Sequence, residues 1–61
     1  MSNYRIIPNN QQLKEIGIDI PINNLEVKFL KDHKNGWYQI EAFYHAATYQ
    51  YDIPKTFLKK T

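Results

Sequence analysis

The sequence predicts a mainly β fold: a small barrel or a strongly bent antiparallel meander, with one short helical turn near the N-terminus. Three observations carry that expectation. Leu25, Val27 and Phe29 alternate with Glu26 and Lys28, the period-two pattern of a half-buried strand. Asn35-Gly36 follows a polar stretch, and that dipeptide is the strongest short signal for a hairpin because both residues tolerate positive φ. Two aromatic-rich runs then follow, Trp37 to Tyr44 and Thr48 to Ile53, with the ring-bearing composition that suits a pleated surface.

From the N-terminus, Tyr4-Arg5-Ile6-Ile7 reads as a short strand stopped by Pro8. Asn9 and Asn10 offer helix N-caps or a turn. Gln11 to Ile16 has two readings. As a helix of one or two turns it places Leu13 and Ile16 three apart, with Gly17 at the C′ position. As extended chain, Ile16, Ile18, Ile20 and Ile22 fall on every second residue. The expectation is a helical turn to Gly17, then an extended edge segment, which Pro21 confines to a sheet edge or a looped arm. Asn23-Asn24 marks a turn before the Leu25–Phe29 strand.

After the Asn35-Gly36 hairpin, Tyr38, Ile40, Ala42 and Tyr44 share one face of the next strand, and Trp37, Gln39, Glu41 and Phe43 the other. His45-Ala46-Ala47 makes a weak turn. Tyr49, Tyr51 and Ile53 share a face of the third strand, which Pro54 ends. Lys55 to Leu58 forms a single tight turn before a short final strand or tail.

The segment Tyr51-Asp52-Ile53-Pro54-Lys55-Thr56-Phe57-Leu58-Lys59-Lys60 resembles the end of an SH3-like small barrel. In that family a strand runs into a proline, and one 3₁₀ turn then places an aromatic and an aliphatic residue, here Phe57 and Leu58. The strands from Leu25 to Ile53 are similar in length and order. The sequence lacks the ALYDY-like opening and the acidic loop of signalling SH3 domains. The resemblance thus implies a fold, and such barrels serve protein, RNA and DNA partners alike.

The chain has 61 residues, no cysteine and a formal charge of +2, with a pI near 9.0. Residues 1–61 are therefore expected to form one small domain. One core in a chain this short supplies about 3–5 kcal/mol at most, and here no disulfide reinforces it. The nine aromatic residues are the packing material, since each ring buries roughly 150–250 Å². The lack of cysteine fits a reducing cytoplasm, and the Ile-, Asn- and Lys-rich composition fits an AT-rich mobile element. No signal peptide and no membrane-spanning run is expected.

The residues that carry chemistry are sparse. His33 and His45 fall in separate turns, so no metal site is expected. His33 with Asp32 is the nearest thing to an acid–base pair. Glu41 and Asp52 are the carboxylates closest to the aromatic strands, with nothing to bring them together. There is no phosphate-binding glycine loop, serine elbow or cysteine nucleophile, so neither an enzyme nor a cofactor is expected. The aromatic residues exceed what so small an interior holds. Trp37, Phe43, Tyr49 and Tyr51, all at odd positions on neighbouring strands, are the candidate binding patch. Lys28, Lys31, Lys34 and Lys55 are the candidate basic group, with Glu26, Asp32, Glu41 and Asp52 among them. The expected function is a small interaction module that binds a protein, as a regulator or inhibitor does. The alternative is nucleic-acid binding through lysines and stacked aromatics. A homodimer through the Ile18–Ile22 edge segment is a further expectation.

Overall fold

The computed structural model describes residues 3–61. It is mainly β. Five strands, β1 (Asn3–Ile6), β2 (Glu26–Asp32), β3 (Trp37–Tyr44), β4 (Ala47–Pro54) and β5 (Leu58–Lys60), form one sheet in the order β4-β3-β2-β1-β5. Every neighbouring pair is antiparallel. β1 to β4 follow one another as a meander, and β5 returns to lie beside β1. β4 and β5 form the two edges and do not pair with each other, so the sheet is not closed into a barrel. Of the two expected forms, the open antiparallel sheet is the one present.

The one α-helix among the described residues, α1 (Asn10–Glu15), is set by its caps. The Asn9 side chain accepts the Gln12 N–H at 2.9 Å, and the Gln12 side chain accepts the Asn9 N–H at 3.3 Å, a reciprocal capping box. At the other end Gly17 has φ +94°. Its N–H donates to Lys14 and the Ile18 N–H donates to Leu13. This is a Schellman stop, accompanied by burial of both Leu13 and Ile18. The helix is too short to persist alone; Leu13 anchors it in the core.

The Ile18–Ile22 segment is not an edge strand. It is an arm laid over one face of the sheet, and Ile18 and Ile22 are buried there. The alternating isoleucines turn toward the core without sheet pairing: Ile18 and Ile22 are in it, and Ile16 and Ile20 pack against it. Asn23 ties the arm down: its side-chain amide donates to Pro8 O at 2.6 Å, and its backbone N–H donates to Asn10 Oδ1 at 3.2 Å. The core beneath comprises Ile6, Leu13, Ile18, Ile22, Val27, Ile40, Ala42, Ile53 and Leu58. It lies between the inner face of the sheet and the layer made by α1 and the arm.

Two turns set the strand register. The β2–β3 loop contains Asn35-Gly36 but is wider than a two-residue turn. His33 N–H donates to Trp37 O at 3.0 Å, and the left-handed residues are Lys34 and Gly36. Asp32 and Asn35 accept the N–H groups of Lys34 and Trp37 through their side chains, the local bonding that makes these residues turn formers. The β3–β4 turn is the tight one. His45 and Ala46, with φ +49° and +62°, join the directly opposed residues Tyr44 and Ala47. That positive-φ pair is the geometry that matches strand twist.

Candidate functional site

The register decides which aromatic residues share a surface. Directly opposed residues of an antiparallel pair project to the same face. Ile40 stands opposite Tyr51 and Ala42 opposite Tyr49, so both tyrosines lie on the inner face with the core. Phe43 stands opposite Thr48 and Trp37 opposite Pro54, on the outer face. The four candidate residues therefore do not make one patch. A two-residue turn sets odd positions of β3 against even positions of β4, which separates Trp37 and Phe43 from Tyr49 and Tyr51.

On the inner face the remaining rings pack at both ends of the core. Tyr4, Phe29 and Tyr38 meet edge-on or tilted, with Phe29 and Tyr38 centroids 5.0 Å apart. Burial pushes the Tyr38 hydroxyl above the ordinary tyrosine range, and Tyr4 and Asp32 push it the same way. Tyr49 and Tyr51 stand parallel, 6.3 Å apart, along β4. Burial likewise raises the Tyr51 hydroxyl, with Tyr49 and Asp19 adding to the effect.

The outer face carries the polar and charged residues together with two exposed rings. Phe43 is 64% exposed and Trp37 36%. At the Trp37 end, His33, Asn35, Trp37 and Asp52 line a shallow cleft. His33 Nε2 lies 2.8 Å from Asp52 Oδ1. The partner of His33 is thus Asp52 on β4, not its sequence neighbour Asp32, whose carboxylate is engaged with the Lys34 N–H. At the Phe43 end, Asn3, Glu26, Val27, Lys28, Glu41 and Phe43 line a groove across β1, β2 and β3.

The basic group is divided. Lys28 stands opposite Glu41, and Lys31 opposite Gln39. They share the outer face, although three residues apart, because the register slips between Phe29 and Lys31. That bulge inserts Leu30 as an unpaired residue and restores the alternation beyond it. Lys34 sits in the β2–β3 loop, and Lys55 opens the 3₁₀ turn Lys55–Phe57, where its N–H donates to Gly36 O. Glu26, Glu41 and Asp52 lie on the same face as Lys28 and Lys31, so its charge is mixed. Glu41 and Asp52 are not opposed; they face Gln50 and Gln39.

Among the described residues no group of three or more His, Asp or Glu side chains is placed to hold a metal ion. No described helix is long and apolar enough to cross a membrane. Comparison with protein-family models, with curated proteins and with solved structures finds no match for this chain. The His33–Asp52 pair was not readable from spacing, since it depends on the register that the His45-Ala46 turn imposes.

Proposed function

We propose that this chain is a small non-enzymatic interaction module that binds a protein partner on the outer face of β2, β3 and β4. The observation that carries this reading is the placing of Trp37 and Phe43 at the two ends of one strand face, both open to solvent. Single exposed apolar residues are ordinary. Here two large rings frame a polar strip of Gln39, Glu41, Lys28 and Lys31. Aromatic anchors with a polar surround match the composition of protein interfaces. The mixed charge favours a protein surface over a phosphate backbone, which selects for a continuous positive stripe.

The resemblance to SH3-like domains is part of this proposal. It is supported by the 3₁₀ turn after Pro54, by Leu58 in the core and by the return of β5 to β1. A cytoplasmic location goes with the proposal, on the ground that the chain has no cysteine.

The test is affinity capture from the host lysate with the natural chain and with Phe43→Thr. Threonine retains strand propensity, so the fold is kept while the ring is lost. The expected outcome is a protein captured by the natural chain and depleted with the variant. Equal capture by both overturns the assignment of this face. A salt titration against generic single- and double-stranded DNA decides the nucleic-acid alternative, since phosphate binding weakens steeply with salt.

A further inference from the structure

The two edges of the sheet differ in kind. β5 is three residues long, and two of them are lysines, Lys59 and Lys60. Short length and lysines are the usual protections of an exposed edge. β4 has eight residues and neither lysine nor bulge, with proline only at its end. Among the described residues, no backbone hydrogen bond joins its free side to another segment.

The direction of the β4 amides follows from the register. Lys55 N–H donates to Gly36 O, and hydrogen-bonded pairs recur at every second residue of an antiparallel ladder. Ile53, Tyr51, Tyr49 and Ala47 therefore turn their N–H groups toward β3. Thr48, Gln50 and Asp52 turn theirs outward, where they have no partner among the described residues.

We propose that the free edge of β4 binds β4 of a second copy of this chain, antiparallel, about a twofold axis at Gln50. This register satisfies all three outward N–H groups of each copy: Gln50 pairs with Gln50, and Thr48 with Asp52. Moving the axis to Tyr49 sets Asp52 against the turn residue Ala46. Moving it to Tyr51 sets Thr48 against Pro54, which has no N–H to donate to the Thr48 carbonyl. An axis at Asp52 opposes two carboxylates.

The side chains agree with the Gln50 axis. On the inner face Tyr49 of each copy meets Tyr51 of the other, and the two rings of each chain already stand parallel, so the dimer carries a ladder of four tyrosines. Cross-strand aromatic pairs are among the more favourable ones. On the outer face the Thr48 hydroxyl is set to donate to the Asp52 carboxylate, and no like charges are opposed. A twofold contact of this kind is self-limiting, because it uses the β4 edge of both copies and leaves outward only the short, lysine-bearing β5 edges.

The test combines sedimentation with amide exchange on the full chain, from micromolar to millimolar concentration. The expected result is a rise from the 7.3 kDa chain mass to twice that value. Exchange at Thr48, Gln50 and Asp52 slows in step with the dimer fraction. The amides of Tyr49 and Tyr51, bonded to β3, serve as the internal reference and are slow throughout. Gln50→Lys opposes two lysines at the axis and is expected to weaken the dimer, whereas Thr48→Lys sets lysine against Asp52 and is expected to tighten it by about twofold or more. Lys14→Ala, on the exposed side of α1, leaves it unchanged. A monomer at millimolar concentration overturns the proposal. So does a dimer in which those three amides stay fast, or one in which the two lysine variants behave alike.

Discussion

The β3–β4 turn is closed by two residues that carry a Cβ in a region suited to glycine, and relieving this is expected to stabilise the protein. Ala46 has φ +62° and His45 φ +49°. An L-residue in the left-handed region costs roughly 1–2 kcal/mol. Ala46→Gly removes that cost at one position. Glycine also enlarges the freedom of the unfolded chain, which offsets about 0.4–1 kcal/mol. The net expectation is a gain of about 0.5–1 kcal/mol, equivalent to about 2–8 °C in Tm for a domain of this size. Urea unfolding followed by the fluorescence of the single tryptophan, Trp37, measures it. The midpoint rises and the slope stays constant, because the surface exposed on unfolding is unchanged. Gly36→Ala is the converse control. Gly36 has φ +90°, and a Cβ there meets nothing within 4 Å, so the expected loss of about 1 kcal/mol reflects backbone conformation alone. An unchanged or lower midpoint for Ala46→Gly refutes this account of the turn.

Three further outcomes follow from the core, the helix and the tyrosines. Ile53 is fully buried, and Ile53→Ala is expected to cost about 2–5 kcal/mol. That is comparable with the whole stability of a core this size, so circular dichroism should find the variant largely unfolded at room temperature; a cooperative transition with a small loss contradicts the packing. Asn9→Ala removes one half of the capping box and is expected to cost about 1 kcal/mol, read as a lower urea midpoint. Tyr38 and Tyr51 have raised pKa values in the folded protein, so the folded state keeps protons that the unfolded chain has released. Their contribution is fully present below the unfolded tyrosine value of about 10 and is lost as pH rises through it toward the folded values. Stability measured against pH should fall in that alkaline window, less steeply in Tyr51→Phe; an identical slope in the variant removes Tyr51 from the effect.

The local structure was legible wherever a side chain acts on its own backbone. Asn9 and Gly17 delimit the helix by capping, and Pro54 ends β4, all from chemistry confined to a few residues. The alternation from Leu25 to Phe29 located β2 for the same reason. What escaped was register, which depends on turns. Asn35-Gly36 marked a hairpin correctly, yet its loop is widened by the side-chain bonds of Asp32 and Asn35. His45-Ala46 carries neither glycine nor asparagine, so nothing marked it as a tight turn with two positive φ values. Without that turn the faces of β4 could not be assigned relative to β3. Sequence pattern alone therefore groups Tyr49 and Tyr51 with Trp37 and Phe43, and sets His33 beside Asp32 and not Asp52. The isoleucines from Ile16 to Ile22 misled in a different way. Period-two burial arises in an arm that bends over a core as readily as in a strand, and only the partner chain segment distinguishes the two.

Photo-crosslinking in the host from a reactive residue placed at position 43 tests the assignment of the outer face most directly. Position 14, exposed on α1 and remote from that face, is the control. A discrete protein adduct from position 43, absent from position 14, is the predicted result. Adducts to nucleic acid, equal labelling from both positions, or no adduct from position 43 contradict it.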